Sequence, residues 1–176
     1  MIAVAMPLFA REFPHPEIIF GTLLSVAGAG GFIGAVVSNK FSKHFGIGKI
    51  ITFGLIAQGS LYCLMVVFRG TYWMFIFQFI SYTFLGMINI MYSTFFQSQT
   101  NIDHLGRVNT IIDSLISIAM PLGAVTAGAL IERVYCDPHL IMFFYGSFNI
   151  VVGIIYFFEK NMYAFELNKI DDPDLV

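Results

Sequence analysis

The sequence predicts an all-α fold, a polytopic bundle of membrane-spanning helices. Three observations carry that expectation. In 176 residues, five long stretches hold no Asp, Glu, Lys or Arg: Ile18–Asn39, Ile50–Phe68, Gly70–Ile102, Ser114–Ile131 and Pro138–Phe158. About 20 apolar residues in a helix, rising roughly 1.5 Å each, cross a hydrocarbon core of about 30 Å. Hydrophobic residues make up 57% of the chain and charged residues 11%, too little charge to clothe a soluble domain, which carries roughly 25%. Runs such as FGLIAQGSLYCLMVVF (53–68) do not alternate as barrel strands do over about ten residues. A helix also satisfies its own backbone in lipid.

Residues 1–10, MIAVAMPLFA, are apolar but too short to cross, and they carry no basic n-region. They read as the end of a truncated membrane helix. Residues 11–158 hold the five-span bundle, and residues 159–176 form a polar tail ending in IDDPDLV.

The first span, Ile18–Ser38, is built on small residues. Gly30 and Gly34 form a GxxxG pair, beside a row of Ala27, Gly31 and Ala35. Small residues let helix backbones approach closely where lipid removes the hydrophobic drive. Packing within the chain is expected, with a homodimer face as the alternative. The second span, Ile50–Phe68, encloses Cys63. Cys136 falls in a loop, so no bridge between the two is expected.

The third span, Tyr72–Phe96, is the most polar. Tyr72 and Trp73 open it as interfacial anchors. Gln78, Ser81, Tyr82, Asn89, Tyr92 and Ser93 fall within about 60° of one another on a helical wheel. Such a stripe facing lipid would cost about 1–3 kcal/mol per unpaired group, so it must face protein or water. Two readings stand: a solvated cavity lined by these six, or interhelical hydrogen bonds alone.

The fourth span, Val108–Ile131, gathers Thr110, Asp113, Ser117, Pro121, Ala124 and Gly128 within about 80°. Pro121 lacks an N–H, so a kink is expected near it. Asp113 is the lone carboxylate inside a predicted span, and such an acid is a candidate proton carrier and coupling site. It also stands only six residues past Arg107, so interfacial solvation is the plainer reading. The fifth span is Leu140–Phe158. His15, His44, His104 and His139 all fall in predicted loops and are expected to be solvated.

Lys40, Lys43, Lys49, Arg107, Lys160 and Lys169 fall on one side of these spans, and Arg11, Arg69 and Arg133 on the other. The positive-inside rule places the first group, and the C-terminus, in the cytoplasm of a plasma-membrane protein. A net charge of -2 gives no reason to expect nucleic acid. No phosphate-cradling glycine loop, no Gly-x-Ser-x-Gly and no close His/Cys set is present, so neither an enzyme nor a cofactor or metal is expected.

The segment from Gln97 to Ile131 has a recognisable plan. Gln97 or Gln99 ends one helix, then come Gly106-Arg107-Val108, Pro121-Leu122-Gly123 and Ala127-Gly128. It resembles the stretch joining the tenth and eleventh helices of major facilitator superfamily exporters, nearest to the macrolide-efflux and siderophore-exporter branch. GTLLSVAGAGGFIGAVVSNKFSKHFGIGKII looks like the family's eighth helix and its cytoplasmic loop, though the usual Arg-rich turn is reduced to Lys43, His44 and Lys49.

The resemblance covers almost the whole chain and implies the C-terminal half of a major facilitator-type fold. Such transporters have two six-helix halves and move substrate between them by rocking. It further implies that the tenth helix lines the cavity, which favours the solvated reading of the Gln78–Ser93 stripe. Gly106 and Arg107 are implied to sit in a conformational contact at the cytoplasmic face. Asp113 stands where the family pattern would have a small or hydroxyl residue, so no family role passes to it.

The function implied is efflux of a small drug-like or siderophore-like substrate, driven by an ion gradient. The partners implied are membrane lipid, the small molecule, and a separate N-terminal half or a second copy. The alternative is a non-transporting membrane scaffold or an inactive fragment of a split transporter.

Overall fold

The computed structural model describes residues 2–45, 47–68, 71–100, 104–133 and 137–158. They form six helices: α1 (Ile2–Ala10), α2 (Pro16–Phe45), α3 (Ile47–Val67), α4 (Trp73–Gln99), α5 (Leu105–Arg133) and α6 (Pro138–Phe158). Among the described residues there is no strand. The helices α2 to α6 are each long and apolar enough to cross a membrane, five in all. This is the expected polytopic helical bundle. The tail, Cys136, Arg69 and Asp103 lie outside the described residues, and Cys63 carries a free thiol.

Helix α2 packs along α4, α4 along α3, and α3 along α6, while α1 touches α2, α5 and α6. The reason lies in where the sequence places glycine. Cβ atoms on Gly30 or Gly34 would overlap the carbonyl oxygens of Phe79 or Thr83 on α4. One on Gly86 would overlap the Gly31 carbonyl of α2. Both small-residue rows of α2 are therefore used inside the chain, against α4. Between α3 and α6 the same device recurs at Gly59 and Gly146, and Gly153 rests on Ile56. Backbones this close gain dispersion contacts along their length, the main attraction between helices that lipid leaves available.

The core has two parts. Near the connection of α3 to α4, buried Phe9, Leu23, Tyr62, Met65, Met74 and Met142 join five helices. Near the turn from α2 to α3, Ile50, Ile51, Met87 and Met91 form a second cluster. Elsewhere large apolar side chains face outward, such as Phe148, Val125 and Phe32. Lipid covers such a surface at no hydrophobic cost.

Helix α5 stands apart. It has appreciable contact only with α1, and among its described side chains only Ala127 is fully buried. It runs unbroken through Pro121, whose missing N–H leaves the Ser117 carbonyl without its usual helical donor.

Candidate functional site: a buried polar cluster and an open polar edge

The polar stripe of α4 divides in two. Gln78 and Ser81 are 2% and 0% exposed, closed in by the neighbouring helices. Tyr82 is half-buried beside them. Asn89 and Ser93 are exposed, and Tyr92 between them is half-buried beside Tyr156 of α6. Ser93 accepts a hydrogen bond from Gln97 Nε2 at 3.1 Å.

Around the buried half, α3 and α6 add polar groups of their own. Gln58 is 1% exposed, and Tyr62, one turn on, is also 1% exposed. The Tyr62 hydroxyl lies beside Ser81 and Tyr82, and its ring meets that of Tyr145 edge to face at 5.2 Å. Tyr145 lies beside Tyr82 and Asn149, and Asn149 Nδ2 donates to the Tyr145 carbonyl at 2.8 Å.

Despite these neighbours, Gln58 Nε2, Gln78 Oε1 and Ser81 Oγ have no partner in hydrogen-bond geometry. An orphaned buried polar atom costs about 1–3 kcal/mol. Three in one interior, from two helices, form a set able to receive a polar ligand group or a water.

Gln58 and Tyr62 are not among the site residues expected from the sequence, where this span reads as plain apolar filling. A signal was present. Gln58 is the one amide in the run 53–68, and Tyr62 follows at i+4 on the same face.

The open half of the stripe has a counterpart on α5. Asn89 lies ten residues before the end of α4 at Gln99, and Asp113 eight residues after the start of α5 at Leu105. At about 1.5 Å per residue, both sit roughly 12–15 Å from the connection joining the two helices. Asp113, Thr110 and Ser117 are all exposed. The Thr110 hydroxyl donates to the Gly106 carbonyl at 2.8 Å, and Ser114 to the Thr110 carbonyl at 2.7 Å. Their hydroxyl protons are thus used within α5, whereas the Asp113 carboxylate points out from it.

Gly106 and Arg107 are exposed at the start of α5, and a Cβ on Gly106 would meet nothing within 4 Å. Pro121 is exposed midway along the helix. The structure therefore brings Gln78, Ser81 and Tyr82 together and leaves Asn89, Ser93 and Asp113 exposed, Asn89 and Asp113 at a similar distance from the connection. It does not join Gly106, Arg107 or Pro121 to either group.

One histidine departs from the expectation of a solvated loop. His139 is 5% exposed. Its Nε2 stands 3.1 Å from Glu12 Oε1, its Nδ1 contacts Asp137 Oδ1, and its ring meets Phe9 at 5.2 Å. The physical reason is a helix start. Asp137 accepts the backbone N–H of His139 at 3.0 Å, and Pro138 occupies the first turn. An aspartate cap followed by proline is a strong start signal, and it turns His139 inward against α1. His15 and His104 are exposed, as expected. The side chain of His44 lies outside the described residues.

Among the described residues, no group of three or more His, Cys, Asp or Glu is placed to hold a metal ion.

Comparison with known proteins agrees with this architecture. The family model described as Major Facilitator Superfamily matches residues 1–170. No curated protein and no solved structure matches the chain. Membrane-length helices packed through glycine, a polar interior and a family match over nearly the full length lead to one conclusion: the chain belongs to the Major Facilitator Superfamily, a family of membrane transporters.

Proposed function

We propose that this chain is one wall of a secondary exporter. It corresponds to the C-terminal half of the major facilitator fold and works against a complementary half. The substrate is a small drug-like or siderophore-like molecule, and an ion gradient supplies the energy. The chain sits in the plasma membrane with its C-terminus in the cytoplasm, a reading supported by Lys40, Lys43 and Lys49 clustering at the α2–α3 turn.

The observation that carries the reading is a set of exposed polar side chains on two membrane-length helices. Asn89 and Ser93 on α4, with Thr110, Asp113 and Ser117 on α5, are exposed in helices long enough to cross a membrane. Polar groups at membrane depth face water or protein. A wetted passage between two halves supplies both. The buried Gln58, Gln78 and Ser81 lie deeper in the wall and hold orphaned polar atoms that a substrate group could meet.

Asp113 is the coupling candidate. Its protonation changes the relative energy of conformations that expose it to one side or the other. Gly106 and Arg107 are conformational residues at the mouth of the passage.

The test is efflux from inverted vesicles carrying this chain together with its complementary half. Asp113→Asn is expected to abolish transport driven by a proton gradient while leaving substrate exchange in the absence of a gradient. Equal gradient-driven rates for the two proteins at every pH would remove Asp113 from the mechanism. Absence of transport by the unaltered pair would favour a scaffold or an inactive fragment.

A further inference from the structure

We propose that the groove between α2, α3 and α4 holds an anionic phospholipid of the surrounding bilayer, its acyl chain in the groove and its headgroup on Lys49. The proposal rests on the membrane-spanning fold and not on the transport reading.

The groove encloses about 650 Å³ and begins where α2 turns into α3. Ile33, Val37 and Phe41 of α2 form one wall, with Phe53 of α3 and Ile80 and Phe84 of α4 opposite. Its α2 lining runs from Ile33 to Phe45, a span of twelve residue steps. That is about 18 Å of helix rise, more than half the thickness of a hydrocarbon core. The occupant must be long and narrow.

It must also be apolar along its length. Thr83 is the only lining residue with a hydroxyl, and it already donates to the Phe79 carbonyl at 2.9 Å. Lys49 is the only charged residue in the lining. It is exposed and lies two residues into α3, at the end of the groove nearest the turn. A ligand matching this lining has an apolar body and an anion at one end.

A transmembrane helix of another protein fits less well. Helix partners in membranes meet through small residues. The groove contains no Gly, Ala or Ser, and the small-residue rows of α2 are already spent on α4. An acyl chain bends around Phe and Ile side chains that a rigid helix cannot approach. Lys40, Lys43 and Lys49 fall around one turn in the sequence, and a basic turn at a membrane face attracts anionic lipid.

The experiment is native mass spectrometry of the full chain, released from nanodiscs with equal amounts of phosphatidylglycerol and phosphatidylcholine bearing identical acyl chains. One bound phosphatidylglycerol is expected to predominate by about fivefold, the effect of one lysine at a membrane surface. Lys49→Gln is expected to equalise the two lipids, and Lys49→Arg to keep the preference. Ile80→Trp, which fills the groove, is expected to remove bound lipid of both kinds. Equal binding of the two lipids by the unaltered chain would overturn the proposal. So would an undiminished preference in Lys49→Gln, or full lipid retention in Ile80→Trp. A co-purifying protein held in the groove in place of lipid would overturn it as well.

Discussion

Gly59 of α3 and Gly146 of α6 meet backbone to backbone. A Cβ on Gly146 would lie 2.7 Å from the Gly59 carbonyl oxygen and 2.9 Å from Cys63 Sγ, and a Cβ on Gly59 would overlap the Gly146 carbonyl. Neither backbone can retreat without breaking the contact of the two helices. Gly146→Val is expected to destabilise the bundle by about 1–3 kcal/mol, the usual cost of overpacking. Thermal unfolding in detergent measures it. An unchanged midpoint would mean that α6 is held by other contacts.

The glycines of α2 divide in the same physical terms. Gly34 is pressed onto Thr83, whereas a Cβ on Gly28 would meet nothing within 4 Å. Gly28→Ala is expected to stabilise the protein by about 0.5–1 kcal/mol, because alanine loses less backbone freedom in a helix. Gly34→Ala is expected to destabilise it by about 1–3 kcal/mol. Opposite signs in paired unfolding measurements support the α2–α4 crossing. Equal shifts in both would contradict it.

Gln78 separates stability from function. Its Oε1 is buried without a partner, so an apolar side chain of similar size removes a penalty. Gln78→Leu is expected to leave the unfolding midpoint unchanged or raise it by about 1 kcal/mol in stability. If Gln78 meets substrate as proposed, transport is expected to fall at least tenfold. Full activity in this variant would make the buried cluster purely structural.

The clamp at His139 gives a fourth expectation. His139 holds Glu12, on the turn after α1, and Asp137, the cap of α6. Glu12 is about a third exposed, and solvent weakens the pair. His139→Ala is expected to cost about 1–2 kcal/mol, part from the lost ring packing on Phe9 and part from the lost contacts to Glu12 and Asp137. Limited proteolysis between α1 and α2 should quicken accordingly. His139→Gln, which keeps a donor, should recover part of the loss.

The spans were legible in the sequence because the absence of charge is a local property that needs no partner. The use of Gly30 and Gly34 was legible for a similar reason: a GxxxG row fits few roles in lipid. Which helix each row would meet was not legible, because lipid-facing and protein-facing apolar residues look alike in a membrane helix. The wheel put Gln78 through Ser93 on one face, and it could not show that neighbouring helices cover one end and leave Asn89 and Ser93 open. Gln58 and Tyr62 were missed because polar residues scattered through an apolar run do not announce which of them share a buried face. His139 was misplaced because Asp137-Pro138 was read as a loop when it is a helix start.

The central claim is that the Asn89–Ser93 edge borders a water-filled passage. The direct measurement is labelling by a membrane-impermeant thiol reagent in sealed membranes, on a background with Cys63→Ser and Cys136→Ser. The account predicts that Asn89→Cys and Ser93→Cys react quickly and are protected by substrate, while Phe148→Cys, on an exposed apolar face of α6, stays unlabelled. Labelling of Asn89→Cys as slow as that of Phe148→Cys would contradict it.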